Sequence, residues 1–225
     1  MEIREVPATV RLQQTLPAPA HELWARGELL DELGIRDDGR VRVEIIGGEI
    51  VVSPGPTYDH AGIVGDLHRE FNRAQFADPD FPWRPVQNTD FNLDGIAEDY
   101  LPDLVVVDTE VDHGARKAKA RFLLPRQIAL AVEVTSRWNA DDDREPGPKR
   151  ERQSKWNGYA LVGVPHCLLI DRDPRRLTAT LYSVPDSDGG VYQESRAWRF
   201  GEELALPEPF GVTVPTGDWD AWDED

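Results

Sequence analysis

The sequence predicts an α/β protein: a mixed β-sheet core flanked by helices, with a helix and a hairpin before it and antiparallel strands after it. Three observations carry this. The runs "LPDLVVVD", "IALAVEVTS" and "HCLLID" have the length and apolar content of buried strands. Helical spacing separates some of them, over "HAGIVGDLHREFNRAQF" and again from about Lys149 to Leu161. The stretches "LTATLYSV", "VYQESRAWRF" and "EELALP" then read as antiparallel strands.

Taken in order, "PAHELWARGELLDEL" is an amphipathic helix carrying Leu23, Leu29, Leu30 and Leu33. "VRVEIIGGEIVVS" is a hairpin turning at Gly47-Gly48, a dipeptide that accepts positive φ. "PGPTYDH" is a rigid loop ending in a helix start at Asp59, and Ile63, Leu67, Phe71 and Ala74 stripe the helix that follows. "VQNTDFNL" suits a strand, and "LPDLVVVD" is another. A basic connector leads to "IALAVEVTS", in which Ile128, Leu130, Val132 and Val134 share one face and Ala129, Ala131, Glu133 and Thr135 the other. That second face is small, so a neighbouring element packs close to it and supplies a partner for Glu133, because a buried carboxylate without one is very unfavourable. The domain division expected is an N-terminal helical extension over 1–40, the main domain over 41–215 and an acidic tail over 216–225.

The chain has 225 residues and one cysteine, so it can bury a sizeable core and has no internal disulfide. Cys167 lies in an apolar run and reads as a core residue. Charges stand where a signal peptide needs an apolar stretch, and no apolar run approaches about 18 residues, so the expectation is a cytoplasmic protein with no membrane partner. The net charge of −17 argues against a general polyanion binder. Positive charge is nevertheless clustered at Arg116–Arg121, at Lys149, Arg150, Arg152 and Lys155, and at Arg172–Arg176. The last ten residues hold five carboxylates and no base, the composition of a disordered tail, although two tryptophans give it a means of docking.

Four polar positions interrupt apolar elements: Glu44 in "VRVEII", Asp103 in "PDLVVVD", Glu133 in "LAVEVTS", and Lys155 one helical turn before Tyr159. Two adjacent strands that each carry an inward carboxylate can hold a divalent ion. Mg²⁺ takes one or two carboxylates plus water and phosphate oxygens. A neighbouring lysine can orient an attacking water or stabilise developing charge. Read singly, each residue has a plainer use: Asp103 caps a turn, Glu133 sits in a buried salt bridge with Lys155 or an arginine, and Lys155 is a solvated helix lysine. The remaining histidines lack zinc spacing. There is no phosphate-binding Gly-rich loop, and "TSRW" offers no strained turn for a nucleophilic serine.

"PD…EVTS" resembles the PD-(D/E)XK nuclease pattern, with Thr135 where that pattern has its lysine. "VEIIGGEIVVSPGPTYDH", "PDLVVVD", "LAVEVTS" and "KWNGYALVGVPHCLLIDRD", in this order from about Arg42 to Val214, together resemble the Uma-two family. This is a large bacterial group of proposed endonucleases of the restriction-endonuclease-like superfamily. The resemblance implies that superfamily's mixed sheet and a Mg²⁺- or Mn²⁺-dependent endonuclease acting on DNA. It implies Asp103 and Glu133 as metal ligands and Glu44 as a further acidic member. Lys155, with Tyr159 four residues on, supplies from a helix the amine missing at Thr135; Lys149 is the alternative lysine. The family's Asp-Arg pair falls at Asp143-Arg144, displaced by an insertion, or is replaced by Glu151-Arg152. His60 matches a family histidine that either contacts a phosphate or caps its helix. Lys149, Arg150 and Arg152 would meet the phosphate backbone, as would Arg116–Arg121. By analogy with restriction enzymes, two copies would pair as a homodimer. The rival readings are an inactive nuclease-fold protein that binds nucleic acid or a protein, and an acidic surface for protein contact. A further expectation is that the acidic tail blocks the groove by mimicking phosphate.

Overall fold

The computed structural model describes residues 8–36, 39, 41–147 and 152–223. It is a mixed α/β structure with two six-stranded sheets. The strands are β1 (Val10–Leu12), β2 (Val41–Ile46), β3 (Glu49–Pro54), β4 (Trp83–Val86), β5 (Asp90–Leu93), β6 (Glu98–Tyr100), β7 (Leu104–Asp108), β8 (Phe122–Leu123), β9 (Leu130–Val134), β10 (His166–Asp171), β11 (Thr178–Asp186), β12 (Val191–Arg199), β13 (Glu203–Ala205) and β14 (Thr213–Pro215). The helices are α1 (Ala20–Arg26), α2 (Leu29–Leu33), α3 (Tyr58–Ala77), α4 (Thr109–Ala118), α5 (Ala140–Asp143) and α6 (Lys155–Leu161).

One sheet runs β1-β3-β2-β6-β5-β8 and the other β12-β11-β10-β9-β7-β4, while β13 and β14 pair separately. The second sheet is mixed: β9 lies parallel to β10 and antiparallel to β7. Alternation along its strands divides the core. Leu104, Val106, Leu130, Val132 and Val134 face Ile63, Val64, Leu67 and Phe71 of α3. Val105, Val107, Ala131 and Cys167 face Trp156, Tyr159 and Ala160 of α6. Tyr159 also stacks on Phe91 and meets Tyr100 edge-on, and Gly158 lies against Tyr100, so α6 reaches the first sheet as well. That sheet's far face, with Ile45, Ile50 and Val52, is covered by Leu23, Trp24, Leu29 and Leu33 of α1 and α2. Helix α6 is therefore held between two sheets.

The small Ala131 face does admit a helix close by, but the expected alternation begins only with β9 at Leu130: Ala129 packs on the α3 side and Ile128 on the α6 side, the reverse of the sequence reading. A second small residue completes the approach: a Cβ on Gly158 would lie 2.0 Å from the Tyr100 hydroxyl oxygen. Gly158→Ala is therefore expected to lower stability by about 2–3 kcal/mol, because fully buried Tyr100 has no room to yield. Chemical denaturation would check this, and an unchanged midpoint would show that the two elements are free to separate.

Several boundaries differ from the sequence reading. The first amphipathic stretch is two helices, broken at Gly27, which adopts φ 82° and leaves its N–H bonded to the Trp24 carbonyl. "VQNTDFNL" is divided between two strands in different sheets, with Asn88 at φ 52° between them. The basic connector is mostly α4, with Arg116 bonded to Asp112 one turn earlier. Helix α6 begins at Lys155 rather than near Lys149, because Ser154 and Asn157 form a capping box there. Residues Lys149 and Arg150, and Glu151 of the Glu151-Arg152 alternative, lie outside the described residues. The acidic tail is anchored by its tryptophans, Trp219 5 % exposed against the core and Trp222 half-buried, while Asp218, Asp220 and Asp223 stay exposed. Its tryptophans outweigh its charge.

Candidate active site

The candidate site forms where β7 begins and β9 ends. Leu104 pairs with Val132, and Asp103 N–H donates to the Val132 carbonyl, so continuing the register by one residue sets Asp103 opposite Glu133. Both belong to the face covered by α6, and alternation on β2 turns Glu44 into the same layer beside Ile46. Lys155, the first residue of α6, enters from the third side.

Two of the predicted carboxylates, Glu44 and Glu133, and one more, Asp143, meet at Lys155. Its Nζ lies 2.9 Å from Glu44 Oε1, 3.1 Å from Glu133 Oε2 and 3.4 Å from Asp143 Oδ1. Glu133 Oε1 accepts the Tyr159 hydroxyl, and Glu44 Oε1 also accepts the Leu101 N–H at 2.8 Å. Asp103 stands in a second group. Its Oδ1 is 2.6 Å from Arg42 and 2.8 Å from His60 Nε2, and its Oδ2 accepts the Val134 N–H at 2.8 Å. The four carboxylates, Lys155, His60 and Tyr159 are buried, Lys155 to 2 % exposure and Glu133 to 1 %, and Arg42 is half-buried.

Carboxylates outnumber cationic side chains here, and burial amplifies the imbalance. Burial pushes the Glu133 carboxyl up; Lys155 opposes this, but Asp103 and Glu44 add to it, and the result is about 7. Burial also raises Asp143 well above the usual range, against Lys155. Lys155 loses hydration on burial, yet Glu133, Glu44, Asp143 and Asp103 hold it firmly charged. Burial alone would raise Asp103, and His60, Arg42 and Lys155 together reverse it, leaving it below the usual range. Two pH windows follow. Asp103 contributes stability above its unfolded pKa that is lost as the solution becomes strongly acidic. Glu133 acts the other way: between about pH 4.5 and 7 the folded state binds more protons than the unfolded one, so stability falls as pH rises. The loss from Glu133 alone is at most about 3 kcal/mol. Melting curves of the cation-free protein are expected to show it, and the slope should flatten in Glu133→Gln. A stability that rises through that window would contradict the assignment.

Among the described residues, no three His, Cys, Asp or Glu side chains are arranged as a ready metal cage. Glu133 oxygens are shared with Tyr159 and Lys155, and Asp103 oxygens with Arg42, His60 and Val134. The chemistry of the set nevertheless fits a hard divalent cation. Every candidate ligand is a carboxylate oxygen, the acid is in excess, and among the described residues buried Asp143 Oδ1 has the 3.4 Å ion pair with Lys155 but no hydrogen bond.

The sequence reading missed Arg42, although it alternates with Glu44 on one strand face, and left Asp143 unassigned between two alignments of a long loop. His60 does not cap its helix. Thr57 does, its hydroxyl accepting the His60 N–H, while the His60 ring is turned inward onto Asp103 and buried. Thr135 stands in place of the expected lysine and binds the end of β10: its hydroxyl oxygen accepts the Arg172 N–H at 2.9 Å and lies 3.3 Å from Asp171 Oδ1. Arg152 folds back onto Glu49 at 3.1 Å.

The chain belongs to the Uma2 family, described as "putative restriction endonuclease", whose model matches residues 28–217. Among solved structures, a "putative nuclease belonging to DUF820" from Anabaena variabilis is similar in fold. It has a TM-score of 0.54 and 19 % sequence identity, over 81 % of this chain and 90 % of that one. No curated protein matches the chain. Among the described residues, no helix is long and apolar enough to cross a membrane.

Proposed function

We propose that the protein is a divalent-cation-dependent endonuclease that hydrolyses phosphodiester bonds in DNA. One observation carries the reading: three buried carboxylates, Glu44, Glu133 and Asp143, converge on one lysine beside a fourth, Asp103. One lysine neutralises one carboxylate, so three buried carboxylates on Lys155 leave acid that this ammonium alone does not balance, and buried charge without a partner is costly. Family membership supports nuclease chemistry.

In this reading Asp103 and Glu133 would hold Mg²⁺ or Mn²⁺, with Glu44 and Asp143 completing the acidic wall. The cation would supply an acidified water and charge neutralisation at the phosphoryl oxygens. Arg42 and the Val134 N–H fix the Asp103 carboxylate, and Tyr159 fixes Glu133, so both ligand side chains are aimed before substrate arrives. Lys155 holds a positive charge where the attacking water and the phosphoryl oxygens would sit.

Supercoiled, linear and single-stranded DNA incubated with Mg²⁺ and then Mn²⁺ is expected to be cleaved, with EDTA stopping the reaction. DNA affinity should fall steeply with salt, as phosphate contacts require. DNA binding without cleavage under any cation would favour the inactive binding module, and salt-insensitive protein capture would favour the protein-contact reading.

A further inference from the structure

Asp143 reaches the site from α5, a helix of four residues in a long polar loop, with no side-chain cap at its start. A single turn of this kind does not hold itself in place. Its neighbours are pinned instead by both ends of the chain. On one side Asp142 accepts Arg11 of β1, which also binds Glu49 at 3.1 Å. On the other, Arg144 grips Asp171 through two bonds of 2.8 and 2.6 Å and reaches Asp173 at 3.1 Å. The face of the Arg144 guanidinium is covered by Trp222 of the acidic tail, 5.7 Å from the ring centre. The tail is fastened there. Trp222 N–H donates to the Arg172 carbonyl at 3.2 Å, and Arg172 donates to the carbonyls of Asp220 and Ala221. Upstream, Trp219 donates to Asp66 at 2.9 Å. Thr135 holds the Asp171–Arg172 corner to which both Arg144 and the tail attach.

We infer that Asp143 is a working carboxylate of the site and that Arg11, Arg144 and Trp222 are its positioning residues. On this account the tail straps the loop into place and does not compete with nucleic acid for the groove. The inference rests on the cation-dependent reading and deepens it. Guanidinium–carboxylate forks suit the task because they fix orientation as well as distance, which a lysine does not.

The test uses the full chain, with Mn²⁺ binding followed by calorimetry and the amide exchange of residues 139–144 followed by hydrogen–deuterium exchange. Asp143→Asn is expected to weaken Mn²⁺ binding about tenfold or more. Trp222→Ala, Arg144→Ala and Arg11→Ala should each weaken it about three- to tenfold while speeding exchange at Ala140, Asp142 and Arg144. Trp222→Phe, which keeps an aromatic face, should stay near wild type, and Arg144→Lys should not. Melting temperatures identify any variant that has simply lost its fold. Undisturbed exchange in a folded Trp222→Ala would overturn the strap, whatever the cation does. Unchanged Mn²⁺ affinity in Asp143→Asn, where Glu133→Gln abolishes it, would overturn the role of Asp143 alone. If the wild type binds no Mn²⁺, the cation-dependent reading fails and the role given to Asp143 falls with it. Tighter DNA binding by Trp222→Ala would overturn the strap in favour of a phosphate mimic.

Discussion

Replacing Lys155 with methionine is expected to destabilise the protein by about 3–5 kcal/mol near neutral pH, the scale of breaking a buried ion pair from one side. The methionine fills much the same volume, so the effect isolates the charge. Without the ammonium, Glu44, Glu133 and Asp143 face one another in a water-poor layer, and Asp103 adds a fourth negative charge nearby. The penalty should shrink toward pH 5, where Glu133 and Asp143, both raised by burial, take up protons, and Mg²⁺ should recover part of it at pH 8. Urea denaturation at the two pH values, with and without Mg²⁺, checks all three statements. A loss of stability independent of pH would mean that Lys155 matters for packing and not for charge.

Replacing Glu133 with glutamine should separate stability from function. The shape is kept and a strained buried charge is removed. The variant should be as stable as the wild type at pH 5 and more stable at pH 8, by up to about 3 kcal/mol, following the raised Glu133 pKa of about 7. Gain of stability on removal of a site residue is what a site built against its own electrostatics produces. Cleavage should fall by at least about 10³-fold, because a neutral ligand forfeits several kcal/mol of cation-dependent stabilisation of the transition state. Thermal melts and single-turnover cleavage on the same preparations check the pair of outcomes. Loss of both stability and cleavage would make Glu133 a structural residue.

How much of this was legible in the sequence depended on the range of the interaction. Glu133 on a small alanine face announced both an unusual carboxylate and a close neighbour, and the neighbour is α6 with Lys155 and Tyr159. The Gly47-Gly48 hairpin and the α3 stripe needed only local periodicity, and they hold. Local cues also explain the errors of extent. One left-handed residue, Gly27 or Asn88, was enough to break a pattern that read as continuous, and the Ser154 cap started α6 later than its charges suggested. What stayed hidden was long-range. Arg42 finds Asp103 across 61 residues, and Arg11 finds Asp142 across 131. Trp222 finds Arg144 only because Arg172 and Trp219 carry the tail to it. No spacing rule within one segment encodes such meetings. The inward turn of His60 was missed for the same reason, since its partner lies on another element.

The central claim is that surplus buried acid around Lys155 serves cation-dependent cleavage of DNA. Its most direct measurement is cleavage of supercoiled DNA by wild type and Glu133→Gln, with Mg²⁺, Mn²⁺ or EDTA, on protein shown to be folded. The account predicts cleavage by the wild type with either cation, none with EDTA and none by the variant. Cleavage by a folded Glu133→Gln at the wild-type rate, or by wild type in EDTA, would contradict it.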